Sequence, residues 1–186
     1  MALLLASGSP RRRELLTLIT PHFTVRTSEV DERGIVADTP AHLAQTLAEH
    51  KAHAVASLCP QDTVLGCDTV VDFEGEVFGK PSDEADALRM LRALSGNTHK
   101  VHTGICVCHQ GQVASTVETT LVHFAPIDDA ELLAYVRTAE PYDKAGAYAI
   151  QGQAAVWCSG IVGCYYNVMG LPVHRTAQLL RQFGAV

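Results

Sequence analysis

The chain alternates between short apolar runs of strand length and longer segments in which apolar residues recur at helical spacing. The first apolar run, Leu3-Leu4-Leu5, leads directly into a helical pattern. Two long runs, 98–108 and 112–125, flank Gln110-Gly111 and predict a hairpin. Further strands are predicted at 23–27, at 63–71, in a short hairpin at 73–78, and in runs that continue to Tyr166.

Several predicted helices begin at a capping residue. Ser9-Pro10 and Thr39-Pro40 each place a favoured N-cap hydroxyl before a proline, which the first helical turn tolerates. Ser82 is predicted to cap a third helix and Asp128 a fourth, and 170–172 opens the last one. The alternation of strands and helices predicts an α/β protein with a mixed sheet, because hairpins stand among the strand–helix units.

Composition limits the class of protein. The chain has 186 residues, of which 47% are hydrophobic, and it contains no long linker, so one domain over 1–186 is expected. A net charge of -6 argues against a general nucleic-acid partner. No apolar stretch approaches the ~20 residues of a membrane span. The six cysteines form no C-x-x-C pair, which favours buried reduced thiols in a cytoplasmic protein.

The turn after the first strand has the features of an anion site. Ser7-Gly8-Ser9 lies at a predicted helix N-terminus, where backbone N–H groups favour anions, and three arginines follow. A guanidinium fits phosphate oxygens well. Neighbouring helical side chains point about 100° apart, so Arg11, Arg12 and Arg13 cannot all face one ligand. Arg11 is the first candidate and Arg12 the second, and a solvated helix face remains the alternative for all three.

Asp68 stands inside an apolar strand, where an unpartnered carboxylate would cost several kcal/mol. It is therefore expected to have a cation or a metal nearby, either at a functional site or in a structural ion pair. The acidic loop 29–32, which contains Asp31, is either solvated or supplies an Mg²⁺ ligand. Lys51, at the edge of an apolar helix stripe, could be a ligand or an ordinary partly buried side chain.

Lys80 and Lys144 lie in Gly/Pro-rich loops, which often contain functional residues.

Other chemistries receive little support. The segment 75–81 resembles a phosphate-binding P-loop, but it has one residue too few between its glycines and a proline in place of the Mg²⁺-binding hydroxyl. The histidine pairs 50/53 and 99/102 lack the partners of a zinc site, and no G-x-S-x-G motif occurs.

Eight short segments occur together in one order: 5–16 (Leu-Ala-Ser-Gly-Ser-Pro-Arg-Arg-Arg-Glu-Leu-Leu), 28–32 (Ser-Glu-Val-Asp-Glu), 50–52 (His-Lys-Ala), 66–71 (Gly-Cys-Asp-Thr-Val-Val), 79–81 (Gly-Lys-Pro), 90–104, 140–152 (Glu-Pro-Tyr-Asp-Lys-Ala-Gly-Ala-Tyr-Ala-Ile-Gln-Gly) and 170–172 (Gly-Leu-Pro). As a set they resemble the Maf family of nucleoside triphosphate pyrophosphatases. The resemblance extends over nearly the whole chain. It implies an elongated α/β fold with a twisted sheet, flanking helices and a deep cleft between two lobes.

The resemblance also implies an activity: hydrolysis of a nucleoside triphosphate between its α- and β-phosphates, with a divalent cation, Mg²⁺ or Mn²⁺. The segment 145–152 is similar to the branch that acts on dTTP and UTP, although Ala149 replaces the usual glycine. A homodimer in the cytoplasm is expected. The alternative that the resemblance leaves open is a nucleotide-binding regulator of septum formation with little turnover.

The resemblance assigns roles to single residues. Asp68 matches the proton acceptor, and Asp68 with Asp31 is the expected metal pair. Arg11, Thr69 and Gln151 match positions that set base preference. With the phosphate-binding candidates, the predicted substrate-binding set is Arg11, Thr69, Gln151, Ser7, Ser9, Arg12, Lys51, Lys80 and Lys144.

Overall fold

The computed structural model describes residues 2–186. Its strands are β1 (Leu3–Leu5), β2 (Thr24–Val25), β3 (Thr63–Phe73), β4 (Glu76–Phe78), β5 (Thr98–His109), β6 (Gln112–Phe124) and β7 (Cys158–Val162). Its α-helices are α1 (Pro10–Thr17), α2 (Pro40–Ala56), α3 (Glu84–Leu94), α4 (Asp129–Val136), α5 (Tyr165–Met169) and α6 (Val173–Gln182). Short 3-10 turns lie at Glu140–Asp143, Ala145–Ala147 and Gln153–Trp157. None of the helices in this range combines the length and apolar character that a membrane span requires.

The strands form one mixed sheet, as the sequence predicts. Their order is β2-β1-β3-β5-β6-β7, with β4 paired to β3. The β1–β2 and β1–β3 pairs are parallel and the other pairs are antiparallel. The β5–β6 hairpin turns at Gln110-Gly111, where both residues have positive φ. The mixed α/β class is thus confirmed.

Apolar residues alternate across the sheet and build a core on each face. Leu3 and Leu5 of β1 pack with residues of α1 and α6, whereas Leu4 and Ala6 pack with residues of α2. A further cluster joins α3 and α4 to the aromatic side chains at the far end of the sheet. The three-residue strand β1 is therefore covered on both sides, which holds the turn that follows it.

Helix α2 packs against the sheet unusually closely. A Cβ atom added at Gly66 would lie 2.3 Å from the backbone oxygen of Ala48, and one at Gly104 would lie 2.2 Å from that of Ala44. Two glycines on neighbouring strands thus allow backbone-to-backbone contact, because no side chain separates helix and sheet. Asp68 pairs in register with Gly104, so this contact sets the distance from α2 to Asp68.

Most predicted helix starts are confirmed. The side chains of Ser9, Thr39 and Asp128 each accept a hydrogen bond from a backbone N–H of the following turn. The prediction for Ser82 is wrong, because Asp83 caps α3 and accepts from the N–H of Asp86. A carboxylate competes well with a hydroxyl for this position, and the sequence offered both in a row.

The strand prediction near the C-terminus is partly wrong. Within the predicted run that ends at Tyr166, only Cys158–Val162 pairs as a strand; Gln153–Trp157 forms a 3-10 turn and Tyr165–Met169 a short helix. Tertiary contacts outweigh the apolar pattern here, since short apolar runs do not distinguish strand from helix by themselves.

The six cysteines are free thiols, as predicted, and three of them are buried. Burial raises the pKa of Cys67 to about 11 although the cationic side chains of Arg12 and Lys51 act to lower it, so this thiol is protonated at neutral pH.

Candidate active site

A cavity of about 740 Å³ opens beside the turn that follows β1. Its walls come from this turn and the start of α1, from α2, from the middle of β3, and from the segments 143–151 and 168–170. Ten of the eleven predicted site residues line it: Ser7, Ser9, Arg11, Arg12, Lys51, Asp68, Thr69, Lys80, Lys144 and Gln151. Residues far apart in the sequence are thus brought to one volume, which is large enough for a nucleotide-sized ligand.

Asp68 has the cationic partner that its burial requires. The ammonium Nζ of Lys51 lies 2.5 Å from Asp68 Oδ1, and both side chains are nearly buried. The same Nζ lies 2.8 Å from Glu32 Oε1. Lys51 therefore bridges two carboxylates on the cavity wall, one from β3 and one from the acidic loop.

Asp31 is the one predicted residue that does not line the cavity. Its carboxylate accepts hydrogen bonds from the side chain and the backbone N–H of Arg33, at 3.0 to 3.3 Å, and these bonds lower its pKa. Glu32 lies at the cavity instead. The sequence indicates that the acidic loop belongs to the site, but it does not give the loop's conformation. It therefore does not show which of the two neighbouring carboxylates, Asp31 or Glu32, faces the cavity.

Arg12 is the most firmly held arginine of the run. Its Nε donates to the carbonyl oxygen of Gly170 at 2.9 Å, while its two terminal nitrogens donate to Ser7 Oγ at 3.2 Å and Thr69 Oγ1 at 2.9 Å. Thr69 Oγ1 in turn lies 2.9 Å from Thr103 Oγ1. These bonds fix the guanidinium in the wall before any ligand binds.

Arg11 lies on the same cavity but has an acidic partner. Its Nη1 is 3.1 Å from Asp143 Oδ2, and the ammonium of Lys144 is 2.5 Å from Asp143 Oδ1. Burial alone would raise the pKa of Asp143, but hydrogen bonds from Lys144 and Arg11 outweigh it and lower that pKa. Asp143 thereby joins the start of α1 to the turn 140–143. Arg13 is exposed and does not line the cavity, so the three arginines do not all face the same volume, as the helix geometry predicts.

Positive charge predominates on the cavity wall. Lys80 is exposed there and forms no side-chain hydrogen bond or ion pair within residues 2–186. Against three carboxylates (Glu32, Asp68 and Asp143), the lining has five cationic side chains: Arg11, Arg12, Lys51, Lys80 and Lys144. On a protein of net charge -6, this local excess suits a small, highly charged anion.

The donor set also fits a hard divalent cation. No group of three His, Cys, Asp or Glu side chains within residues 2–186 is placed to hold a metal ion. However, Asp68 and Glu32 both reach the ammonium of Lys51, so two carboxylates converge on one positive charge. Mg²⁺ is commonly bound by one or two carboxylates together with substrate oxygens and water. The pair therefore fits a cation that arrives with a phosphorylated ligand.

A hydrogen bond between two buried rings supports the part of the cavity wall formed by Tyr148. Tyr148 lines the cavity, and its hydroxyl lies 2.8 Å from Nε2 of His99, which is almost completely buried. Burial, with a smaller contribution from His123, lowers the pKa of His99 to about 4. His99 is therefore neutral at neutral pH and holds the Tyr148 ring by a hydrogen bond between uncharged groups.

This burial predicts a pH-dependent stability. The unfolded chain protonates His99 near its ordinary pKa of about 6.5 and the folded chain only near 4, so protons favour the unfolded state between these values. The free energy of unfolding should fall by about 3 kcal/mol through His99 as the pH falls from 6.5 to 4. Urea titrations of the natural protein and of His99→Gln, which does not titrate, should diverge by this amount. Parallel pH profiles would contradict the assignment.

Comparison with solved structures agrees with the fold. The Ham1 protein of Staphylococcus aureus matches with a TM-score of 0.58 and 16% identity, over 97% of this chain and 98% of that one. A HAM1 protein from Coxiella burnetii matches with a TM-score of 0.51 and 13% identity, over the same shares of both chains. At such identities the likeness establishes the fold alone.

Curated sequences are much more similar. A protein of Symbiobacterium thermophilum named dTTP/UTP pyrophosphatase is 50% identical over 182 residues, 98% of this chain and 94% of that protein. One of the same name from Koribacter versatilis is 47% identical over 186 residues, 100% of this chain and 96% of that protein. The family model described as Maf-like protein matches residues 2–183. The resemblance seen in the short motifs is therefore confirmed, and the chain belongs to the Maf-like protein family.

Proposed function

We propose that this protein is a nucleoside triphosphate pyrophosphatase that cleaves dTTP and UTP between the α- and β-phosphates. The observation that supports this best is the cavity itself, which is lined by five cationic side chains and a nearly buried carboxylate, Asp68. A triphosphate carries about four negative charges, and such a wall offsets them. The names of the curated relatives support the choice of dTTP and UTP.

The phosphates bind at the turn after β1. Arg12 presents a guanidinium already oriented by three hydrogen bonds, so little conformational freedom is lost when it contacts a phosphate. Ser7 and Ser9 flank it at the N-terminus of α1. Lys80 has no competing partner among the described residues and is free to contact the distal phosphates. Arg11 and Lys144 contribute once they exchange Asp143 for a phosphate oxygen.

Asp68 acts as the general base. Only its Oδ1 is bonded within residues 2–186, to Lys51, and Oδ2 remains available to accept a proton. A water oxygen attacks the α-phosphorus as its proton passes to Asp68, and the bond from this phosphorus to the bridging oxygen breaks. Pyrophosphate leaves with the electron pair of that bond, and the nucleoside monophosphate remains. Lys51 holds the carboxylate in place and stays close to the charge that develops.

A divalent cation, Mg²⁺ or Mn²⁺, would be held by Asp68 and Glu32 together with phosphate oxygens. Glu32 takes the place that the motif comparison assigned to Asp31, because Glu32 lies on the cavity and Asp31 is bonded to Arg33. When bound, the cation neutralises part of the triphosphate charge and polarises its oxygens. Without the cation, the positive charge of Lys51 offsets the repulsion between the two carboxylates.

Base preference is set on the wall formed by the segment 145–151. The Gln151 side chain is exposed at the cavity and forms no hydrogen bond within residues 2–186, so its amide donor and acceptor are both available to a pyrimidine edge. The Thr69 hydroxyl is already bonded to Arg12 and Thr103, which indicates an indirect contribution through Arg12.

A nucleotide panel tests the proposed function. We expect pyrophosphate release from UTP and dTTP with Mg²⁺ or Mn²⁺, at least tenfold faster than from ATP or GTP, since the loss of one or two hydrogen bonds to the base costs about this factor. The measurement is coupled detection of pyrophosphate, with orthophosphate monitored in parallel. Release of orthophosphate alone would indicate a phosphatase. Tight binding without turnover would favour the nucleotide-binding regulator.

A further inference from the structure

We infer that Glu140 is the positioning residue for base selectivity: its carboxylate holds the turn that presents Gln151 to the cavity. This inference rests on the proposed function, since it concerns how that site distinguishes bases. Glu140 does not line the cavity and is therefore not a catalytic residue. It acts through the backbone of the segment 149–153.

Gln151 lies in a tight turn whose exit is bonded to Glu140. The N–H of Gly152 donates to the carbonyl oxygen of Ala149 at 3.0 Å, which places Gln151 at the third position of the turn. The N–H of Gln153, the next residue but one, donates to both carboxylate oxygens of Glu140, at 3.0 and 3.2 Å. Because the acceptor is charged, this is a strong bond to Gln153, which is itself exposed.

Glu140 is itself held by a rigid neighbour. The hydroxyl of Tyr135, on α4, donates to Glu140 Oε1 at 2.9 Å. Tyr135 is only 4% exposed, and its burial, reinforced by the bond to Glu140, raises its pKa, so it remains a donor at any physiological pH. The carboxylate thus connects a packed helix to the exposed part of the turn, which lies between buried Ile150 and buried Ala154.

The same residue also positions a phosphate-binding candidate. The backbone carbonyl oxygen of Glu140 accepts a hydrogen bond from Lys144 Nζ at 2.8 Å. Glu140 therefore touches both sides of the site, Lys144 through its backbone and the Gln151 turn through its side chain. The segment 140–152 can present a cation and an amide in a fixed relation because one residue joins its two ends.

Gly152 provides an independent observation of how tightly the carboxylate fits. A Cβ atom at Gly152 would lie 2.2 Å from Oε1, 2.5 Å from Cδ and 2.6 Å from Oε2 of Glu140. The backbone there is extended, with φ -104° and ψ -151°, so glycine is not required by a positive φ. The three atoms nearest to the added Cβ all belong to the Glu140 carboxylate, which makes the contact testable by a double substitution.

The experiment compares kcat and KM for UTP and ATP in Glu140→Ala, Gly152→Ala, the double variant and Gln151→Ala. Loss of one charged hydrogen bond should lower the UTP/ATP ratio of kcat/KM about tenfold in Glu140→Ala, mainly through KM. Gly152→Ala should give a similar loss, and the double variant should be no worse than Glu140→Ala, since the clash is gone. In a Gln151→Ala background, Glu140→Ala should leave the ratio unchanged. Glu140→Gln, which keeps an acceptor oxygen, should restore most of the selectivity.

Glu131→Gln is the matched control. Glu131 lies on the exposed surface of α4 and, like Glu140, its carboxylate accepts a hydrogen bond from the segment 153–157, here from Trp157 Nε1 at 3.1 Å, but it forms no hydrogen bond to 149–152. It should leave the UTP/ATP ratio unchanged. Calorimetric Kd values for UMP and AMP give the same comparison without turnover, so a chain that releases no pyrophosphate would overturn the proposed function while Glu140 is still tested. An unchanged ratio in Glu140→Ala, or additive losses in the double variant, would overturn the inference.

Discussion

Replacement of Asp68 by asparagine is expected to lower kcat for pyrophosphate release by a factor of about 10³, within the usual contribution of a general base. Asparagine has nearly the same shape and keeps an oxygen for the 2.5 Å contact with Lys51, but it cannot accept the proton of the attacking water. Since the cationic residues that hold the phosphates are unchanged, the Kd for UTP should rise by less than about tenfold. Steady-state kinetics and calorimetry measure the two quantities separately.

Asp72→Asn is the matched control for this substitution. Asp72 is also nearly buried on β3 and has cationic or ionisable partners, Lys100 Nζ at 3.7 Å and His102 Nε2 at 3.2 Å from its Oδ2. It does not line the cavity. The control should therefore lose stability without losing kcat in the folded fraction. If Asp68→Asn kept more than a tenth of the activity, Asp68 would not be the base.

The sequence predicted the residue types of the site better than their conformations. The turn after β1, Asp68 and three lysines (Lys51, Lys80 and Lys144) have chemistry that is unusual for their positions, and all of them line one cavity. Whether Arg11 or Arg12 points into the cavity depends on the rotation of α1 about its own axis, which the sequence does not determine. In the structure Arg12 has three fixed partners, one of which, Gly170, is 158 residues away.

The same reason explains what sequence reasoning missed. Glu32 is the neighbour of Asp31 in the acidic loop, and what distinguishes it is its ion pair with Lys51 on α2, a contact between segments far apart in the sequence. Glu140 lies in the segment 140–152, which resembles a family motif, but no local sequence pattern indicates its role. Its hydrogen-bond partners are Tyr135 on α4 and the backbone of Gln153. Local signals such as N-caps were predictable, whereas contacts between segments required the fold.

The close packing of α2 leads to the second large prediction. Gly104→Ala should lower the free energy of unfolding by about 3 kcal/mol, the upper part of the usual range for overpacking. The added Cβ would lie 2.2 Å from Ala44 O, 2.5 Å from Ala44 C and 2.6 Å from Gln45 N, all of them backbone atoms of α2. No side-chain rotation relieves this contact, so the helix must move away from the sheet.

This movement should also reduce activity, although Gly104 touches no substrate. Lys51 is on α2, and Asp68 is the register partner of Gly104, so a shift of about 1 Å acts directly on the Lys51–Asp68 pair. Misplacement of that size can cost up to about a hundredfold in kcat. Urea unfolding and pyrophosphate release, measured at a temperature where the variant is folded, separate the two effects. Gly160→Ala on β7 is the control, since its added Cβ would meet only His123 Cδ2 at 3.7 Å. Equal stability of the two variants would show that α2 can yield without cost, and unchanged kcat in a destabilised Gly104→Ala would separate the position of α2 from the chemistry at Asp68.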